Sequence, residues 1–294
     1  MANADPARPV PTASSGGSEL ILRILSGLVL APLAVGVAYL GGWAFVVFWS
    51  VAALLVLWEW CTLIAGGERS TVLLIAGAAV LLAMLLAATA ADAEGSHSVR
   101  LVAGGTLLLM GMLATAALAS SDRRVWTAAG IPYAGLLGMA PIVLRNDAQY
   151  GFLAIAFLFA AVWATDIVAY FVGRAVGGPK LAPRISPKKT WSGAVGGTVA
   201  AIGAALTVAT AAELPNLPAV GLIAAAVSAL AQVGDLFESA LKRRFGAKDS
   251  GHLIPGHGGL MDRLDGFVAA AVFATLIGLI HGGVDEPARG LLVW

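Results

Sequence analysis

Asp235, Glu238, Ser239 and Lys242 recur at i, i+3, i+4 and i+7, a spacing that brings four polar side chains to one face of a helix. Asp262 and Asp265 stand three apart, so both can face one neighbour, and Asp166, Tyr170 and Arg174 repeat the pattern at i, i+4 and i+8. Joining the first two groups and overlapping both runs SALKRRFGAKDSGHLIPGHGGLMDRLDG, residues 239–266, which packs five basic residues, three aspartates and two histidines into a chain that is otherwise overwhelmingly apolar. Aspartates with neighbouring lysines and a Gly-rich loop suit a divalent ion and a polyphosphate. Mg²⁺ prefers a few carboxylates plus phosphate oxygens to a closed protein cage, a need that Asp235 and Asp262 fit. The plain structural alternative is ion pairing, Asp166 with Arg174 or Asp235 with Lys242.

A second polar run, GRAVGGPKLAPRISPKKTWSG from Gly173 to Gly193, carries Arg174, Lys180, Arg184, Lys188 and Lys189 among prolines and glycines. It can serve as basic ballast on anionic lipid headgroups. Yet Ser-Pro-Lys-Lys-Thr-Trp just before a helix also gathers two ammonium groups, two hydroxyls and free helix-start amides, a group suited to phosphate oxygens. His257 can be a metal ligand or an acid/base, but a single histidine beside glycines reads first as a loop hydrogen-bonding residue; His252 and His97 have weaker claims. Gly193, Gly196 and Gly197 have the spacing of helix packing.

The elements that must position these groups are membrane helices. With 59% hydrophobic and 12% charged residues and a mean hydropathy of +0.87, the 294-residue chain has too little polar surface to cover a soluble globule. Its net charge of +1 argues against a nucleic-acid partner. Cys61 stands alone, so no intrachain disulfide forms. Nine apolar stretches, at about 20–40, 43–64, 71–91, 99–119, 125–144, 150–173, 192–212, 218–241 and 264–283, each approach the ~20 residues that span a bilayer. The expected fold is therefore an all-α polytopic integral membrane protein. It divides into a disordered tail 1–18, N-terminal transmembrane helices 19–149, a catalytic transmembrane region 150–285 and a C-terminal tail 286–294. With the N-terminus cytoplasmic, Arg8, Arg23 and the connections near 66–70, 120–124, 174–191 and 242–263 hold 15 of the 18 basic residues, leaving Arg100, Arg145 and Arg289 outside. That asymmetry satisfies the positive-inside rule and puts the C-terminus outside. An aspartate facing hydrocarbon costs roughly 2.5–3.5 kcal/mol, which argues for a polar cavity at headgroup depth that uses several of them.

The run Ser239-x-Leu-Lys242-Arg243, then Lys248-Asp249-x-Gly251, then Ile254-Pro255-x-His257-Gly258-Gly259-Leu260-x-Asp262-Arg263-Leu264-Asp265 resembles the signature of the phosphatidate cytidylyltransferase (CDP-diacylglycerol synthase) family. The run is long and irregular, and every signature position is met. ISPKKTWSG is similar to the family's Ser-Pro-Lys-Lys-Thr segment; Ser192 departs from the Glu or Gln of many members. The likeness is strong over 160–270 and is one of hydropathy alone before that. It implies transfer of CMP from CTP to phosphatidic acid with Mg²⁺, with room for a second cation, by a homodimer in the cell membrane working at the cytoplasmic face. It further implies catalytic roles for Asp235, Lys242, Arg243, Asp262 and Asp265, with the metal on Asp235 and Asp262. Substrate binding would fall to Asp166, Ser186, Lys188, Lys189, Thr190, Lys248, Asp249, His257 and Arg263. A relative acting on another lipid phosphate is the nearer alternative. A secondary transporter would place its aspartates near the midplane with inverted repeats, and neither the Asp-Gly-x-x-Ala-Arg run of a CDP-alcohol phosphotransferase nor a Gly-Lys-Ser/Thr phosphate loop is present.

Overall fold

A computed structural model of the chain describes residues 16–65, 69–89, 97–120, 122–251, 253–254 and 258–294. All nine apolar stretches emerge as helices: α1 Gly16–Leu40, α2 Gly42–Ile64, α3 Arg69–Ala88, α4 His97–Leu118, α5 Arg124–Arg145, α6 Gly151–Ala175, α7 Trp191–Ala211, α8 Leu217–Arg244 and α9 Met261–Gly282. By length and composition α2 to α9 can each cross a bilayer, and α1 adds the apolar segment Ser26–Leu40. The all-α multi-pass expectation therefore holds, with one addition. The loop before α7 folds as an antiparallel hairpin, β1 Lys180–Ala182 with β2 Ser186–Thr190, in which Lys180 pairs with Thr190 and Ala182 with Ser186.

Helix ends fall where backbone groups find partners, and these shift two expected boundaries at the polar loop. α8 continues past 241 to Arg244 because Phe245 and Gly246 amides close back on Leu241 and Arg243 carbonyls, with Gly246 at φ 72° in the left-handed region that ends helices. α9 begins at Met261 rather than 264, so Asp262 and Arg263 lie in its first turn and the loop shrinks to 245–260. Asp235 then stands nine residues before the end of α8, about 13.5 Å at 1.5 Å per residue.

At the other end of the bundle, the Arg145 guanidinium donates to the α1 carbonyls of Ala38 (2.6 Å) and Tyr39 (3.1 Å), satisfying the C-terminus of that helix. Residues 286–294, read from sequence as a tail, carry α10, Pro287–Leu292, with Ala288, Leu291 and Leu292 buried. Asp147 holds α10 in place by accepting from the Arg289 amide at 2.9 Å while also accepting from Tyr150 N at 2.8 Å before α6. The expected tail 1–18 falls on residues outside the described ones up to 15; from Gly16 the chain is already α1.

Helix pairs that carry the polar residues approach through glycine. A β-carbon at Gly193 would stand 2.6 Å from the Ala169 carbonyl oxygen and one at Gly197 2.7 Å from that of Thr165, so α6 and α7 lie backbone to backbone. A β-carbon at Gly234 would meet the Asp265 carbonyl oxygen at 2.6 Å, and one at Gly266 the Ala231 carbonyl oxygen at 2.9 Å, which brings α8 against α9.

Candidate active site

Close packing of α6, α7, α8 and α9 turns three sequence-distant acidic positions toward one another. Asp235 on α8 forms an ion pair with Lys189 of β2 and accepts a long hydrogen bond, 3.4 Å, from the Ser239 hydroxyl one turn away. Asp265, across the α8–α9 contact, interacts electrostatically with Asp235, Asp166 and Lys189; Asp166 on α6 does so with Asp235, Lys189 and Arg263. Beneath them a buried hydroxyl ladder ties the three helices together. Thr165 donates to Ser228 at 2.8 Å, and the Gln232 amide donates to Thr198 at 3.2 Å and to the Ala194 carbonyl at 3.3 Å. Each of these polar groups has a protein partner in a region where water is scarce.

Around the rim of this group lies a second one. Lys242 on α8 pairs with Glu238 one turn earlier and with Asp262 on α9, and all three side chains are nearly buried. Asp262 also accepts from Ser250 N (3.0 Å), the Ser250 hydroxyl (2.9 Å) and Gly259 N (2.8 Å), so its two oxygens serve four donors. Gly258 sits at φ 82° with its β-carbon direction 2.9 Å from Asp262 Oδ2, a position only glycine fills without strain. Glu238 is fully buried, and both its oxygens lack a directed hydrogen bond among the described residues although the Lys242 ammonium lies beside one of them. The alternative pairings open at the level of sequence are replaced: Asp235 takes Lys189, Lys242 takes Glu238 and Asp262, and Arg174 donates to the Tyr170 hydroxyl at 3.1 Å.

The remaining sequence candidates divide into those at this cluster's edge and those doing local work. Lys188, Arg243, Lys248, Asp249 and Arg263 are exposed, and Ser186 is half-buried on the hairpin. Thr190 is buried, and its hydroxyl accepts from Gly193 N at 3.1 Å as the cap of α7, while Trp191 N donates to the Pro179 carbonyl at 3.1 Å. The helix-start amides expected to be free for a phosphate are thus partly spent within the hairpin. Ser192, the departure from the family pattern, donates to the Gly177 carbonyl and lies 3.0 Å from Thr190 Oγ1, pinning the loop to the helix start. His257 and His252 lie outside the described residues.

Two residues at the site carry no motif. Glu59, near the C-terminal end of the apolar α2, is fully buried and accepts from Leu260 N (2.9 Å), Met261 N (2.7 Å) and the Ser250 hydroxyl (3.3 Å). It therefore caps α9 from the N-terminal half of the protein and holds the loop that feeds Asp262. A lone carboxylate in a run such as LLVLWEWCTLI was the available signal, because a membrane helix retains a charge only where it has a use. Tyr133 on α5 interacts electrostatically with Asp235, Glu238, Asp262 and Asp265, and its buried hydroxyl has no partner among the described residues. For Glu59 the expected result is concrete. Glu59→Ala leaves two buried amides without acceptors at a cost of about 1–3 kcal/mol each, so thermal unfolding in detergent should drop by several degrees, with Glu59→Gln in between. An unchanged Tm for the alanine variant would contradict the capping role.

Charge summed over the cluster bears on whether a cation belongs there. Among the described residues Asp166, Asp235, Glu238, Asp262 and Asp265 face Lys189, Lys242 and Arg263, a formal surplus of two negative charges. No group of three or more His, Cys, Asp or Glu side chains already stands in metal-holding geometry among those residues. The acidic surplus and the orphaned Glu238 oxygens nonetheless match the chemistry of a divalent, oxygen-seeking ion.

Comparison with known proteins agrees in kind. Residues 21–281 match the model of the cytidylyltransferase family. The phosphatidate cytidylyltransferase of Brucella suis biovar 1 (strain 1330) is 42% identical over 271 residues, covering 92% of this chain and 97% of that protein. Proteins of the same name from Bacillus subtilis (strain 168) and Haemophilus influenzae are 44% and 40% identical over 143 and 149 residues, about half of each chain.

Proposed function

The chain belongs to the cytidylyltransferase family and is a multi-pass membrane nucleotidyltransferase, and from that premise we propose that it transfers CMP from CTP to phosphatidic acid, releasing pyrophosphate and leaving CDP-diacylglycerol in the membrane. The observation that carries this reading is the pairing of carboxylates with lysines, half-buried Asp235 with Lys189 and nearly buried Asp262 with Lys242, beside a basic hairpin and loop. Such a site offers cations to phosphate oxygens and carboxylates to a metal at a depth where a soluble nucleotide can meet a lipid headgroup.

A phosphate monoester on a lipid is already an anionic nucleophile, so the reaction asks for alignment and charge neutralisation rather than a strong base. One lipid phosphate oxygen forms a bond to the α-phosphorus of CTP as the bond from that phosphorus to the bridging oxygen breaks. The electron pair departs with pyrophosphate. Lys188, Lys189, Lys242 and Arg243 are placed to offset charge gathering on that leaving group. Asp235 and Asp262 are the residues that would hold Mg²⁺, which supplies positive charge against the triphosphate. Asp235 has the more open coordination: one ammonium and one long hydroxyl contact, against the four donors already on Asp262.

Pyrophosphate release from CTP by the purified protein should require phosphatidic acid, and diacylglycerol, which lacks the phosphate oxyanion, should not replace it. Release that ignores the lipid would overturn the reading. We place the site on the cytoplasmic side from the distribution of basic residues. In a Cys61→Ala background, Lys188→Cys and Lys248→Cys should therefore react with an impermeant thiol reagent only from the cytoplasmic face. Reaction from outside reverses the orientation.

A further inference from the structure

Away from the polar cluster, a cleft of about 220 Å³ opens between α1 and α6, lined by Val35, Ala38, Phe152, Ala156, Phe159, Ala160 and Trp163. Its lining is almost wholly apolar. On α6 the lining residues 152, 156, 159 and 163 advance by four, three and four, so they form one stripe along the helix, and the next position of the same stripe is Asp166. The stripe therefore runs from the outer end of α6 straight up to a carboxylate of the candidate active site, with Trp163 only three residues, about 4.5 Å of helix rise, below it. Phe152 is fourteen residues from Asp166, or ~21 Å. The floor is firm: Phe159 stacks on Trp163 with ring centroids 4.9 Å apart and packs on Phe267 at 5.6 Å, while Tyr39 closes edge-on against Phe152 at 5.5 Å. Two alanines, Ala156 and Ala160, leave the space open.

We propose that this cleft is the acyl-chain subsite of the lipid substrate, a proposal that rests on the cytidylyl-transfer reading of the adjoining polar cluster. A lipid whose phosphate stands among Lys189, Asp235 and Asp166 has its glycerol at the top of the stripe, and one acyl chain then follows the α6 face past Trp163 toward Phe152. α1 forms the outer wall with Val35 and Ala38, and the chain enters sideways from the bilayer between α1 and α6. The cleft selects for a chain long enough to fill it.

Two variants, Ala156→Leu and Ala160→Leu, fill the cleft without touching a charged group. With purified full-length protein in mixed micelles, each should raise the KM for dioleoyl phosphatidic acid roughly tenfold, the scale on which an apolar pocket discriminates by size. The KM for CTP and the KM for dihexanoyl phosphatidic acid, whose chains are too short to fill the cleft, should not move. Equal changes for long and short chains, or none, would overturn the subsite while leaving the transfer reaction standing. If the wild-type protein transfers nothing to either lipid, the parent reading fails instead. Binding then decides separately: phosphatidic acid bearing a photoreactive group at the end of its acyl chain should label the segments 35–38 and 152–163, less so in Ala156→Leu. Labelling confined to other helices contradicts the proposal.

Discussion

Asp235→Asn should lower the turnover of phosphatidic acid at saturating CTP by about a thousandfold, some 4 kcal/mol of transition-state stabilisation, while the protein still inserts, purifies and unfolds at nearly the wild-type temperature. The separation of activity from stability follows from its surroundings. Asp235 gives up one lysine contact and one 3.4 Å hydroxyl contact when its charge goes, and its side chain is more than a quarter exposed. Asparagine fills the same space, so the fold has little reason to respond, whereas the site loses the carboxylate with the most room for a cation. Asp262→Asn is the informative contrast. That residue serves four donors around the start of α9, so its variant should lose activity and melting temperature together. A correctly folded Asp235→Asn protein with near-normal turnover would remove Asp235 from the site.

Lys242→Met should be the most destabilising single change at the site, by about 3–5 kcal/mol, because it removes the one ammonium shared by two nearly buried carboxylates. Glu238 has no hydrogen-bond donor to fall back on among the described residues, so its carboxyl is left unpaired by them. Asp262 keeps the Ser250 and Gly259 donors and suffers less. The double variant Lys242→Met with Glu238→Gln should therefore recover much of the lost Tm, and Lys242→Met with Asp262→Asn should recover less; coupling energies from these cycles measure each pair. Equal or absent recovery in both double variants would show that Lys242 acts on the fold by packing alone.

Spacing made the polar stripe of α8 and the acidic start of α9 legible, since period 3.6 and the cost of a charge in hydrocarbon are both local properties of the chain. Partner choice was not legible. Sequence offered Asp235 with Lys242, but at i+7 the two stand on one face about 10.5 Å apart along the axis, and Lys189 arrives from another element to take Asp235 while Glu238 and Asp262 take Lys242. Glu59 was missed for the same reason: its three donors sit some two hundred residues away in the chain, and no spacing rule spans that distance. The start of α9 was misplaced by three residues because hydropathy sees Asp262 and Arg263 as loop, whereas the helix begins where Glu59 satisfies its first amides. The closing α10 was read as a tail because six residues of helix give too short a period to detect, and Asp147, far away in sequence, is what docks it.

CTP radiolabelled separately at the α- and γ-phosphates provides the most direct test, given to the purified protein with phosphatidic acid and Mg²⁺. Label from the α-position should enter the lipid fraction and label from the γ-position should leave as pyrophosphate, both in proportion to added phosphatidic acid. Label from the γ-position in the lipid would mean phosphoryl rather than cytidylyl transfer, and lipid free of both labels beside an active control enzyme would contradict the assignment outright.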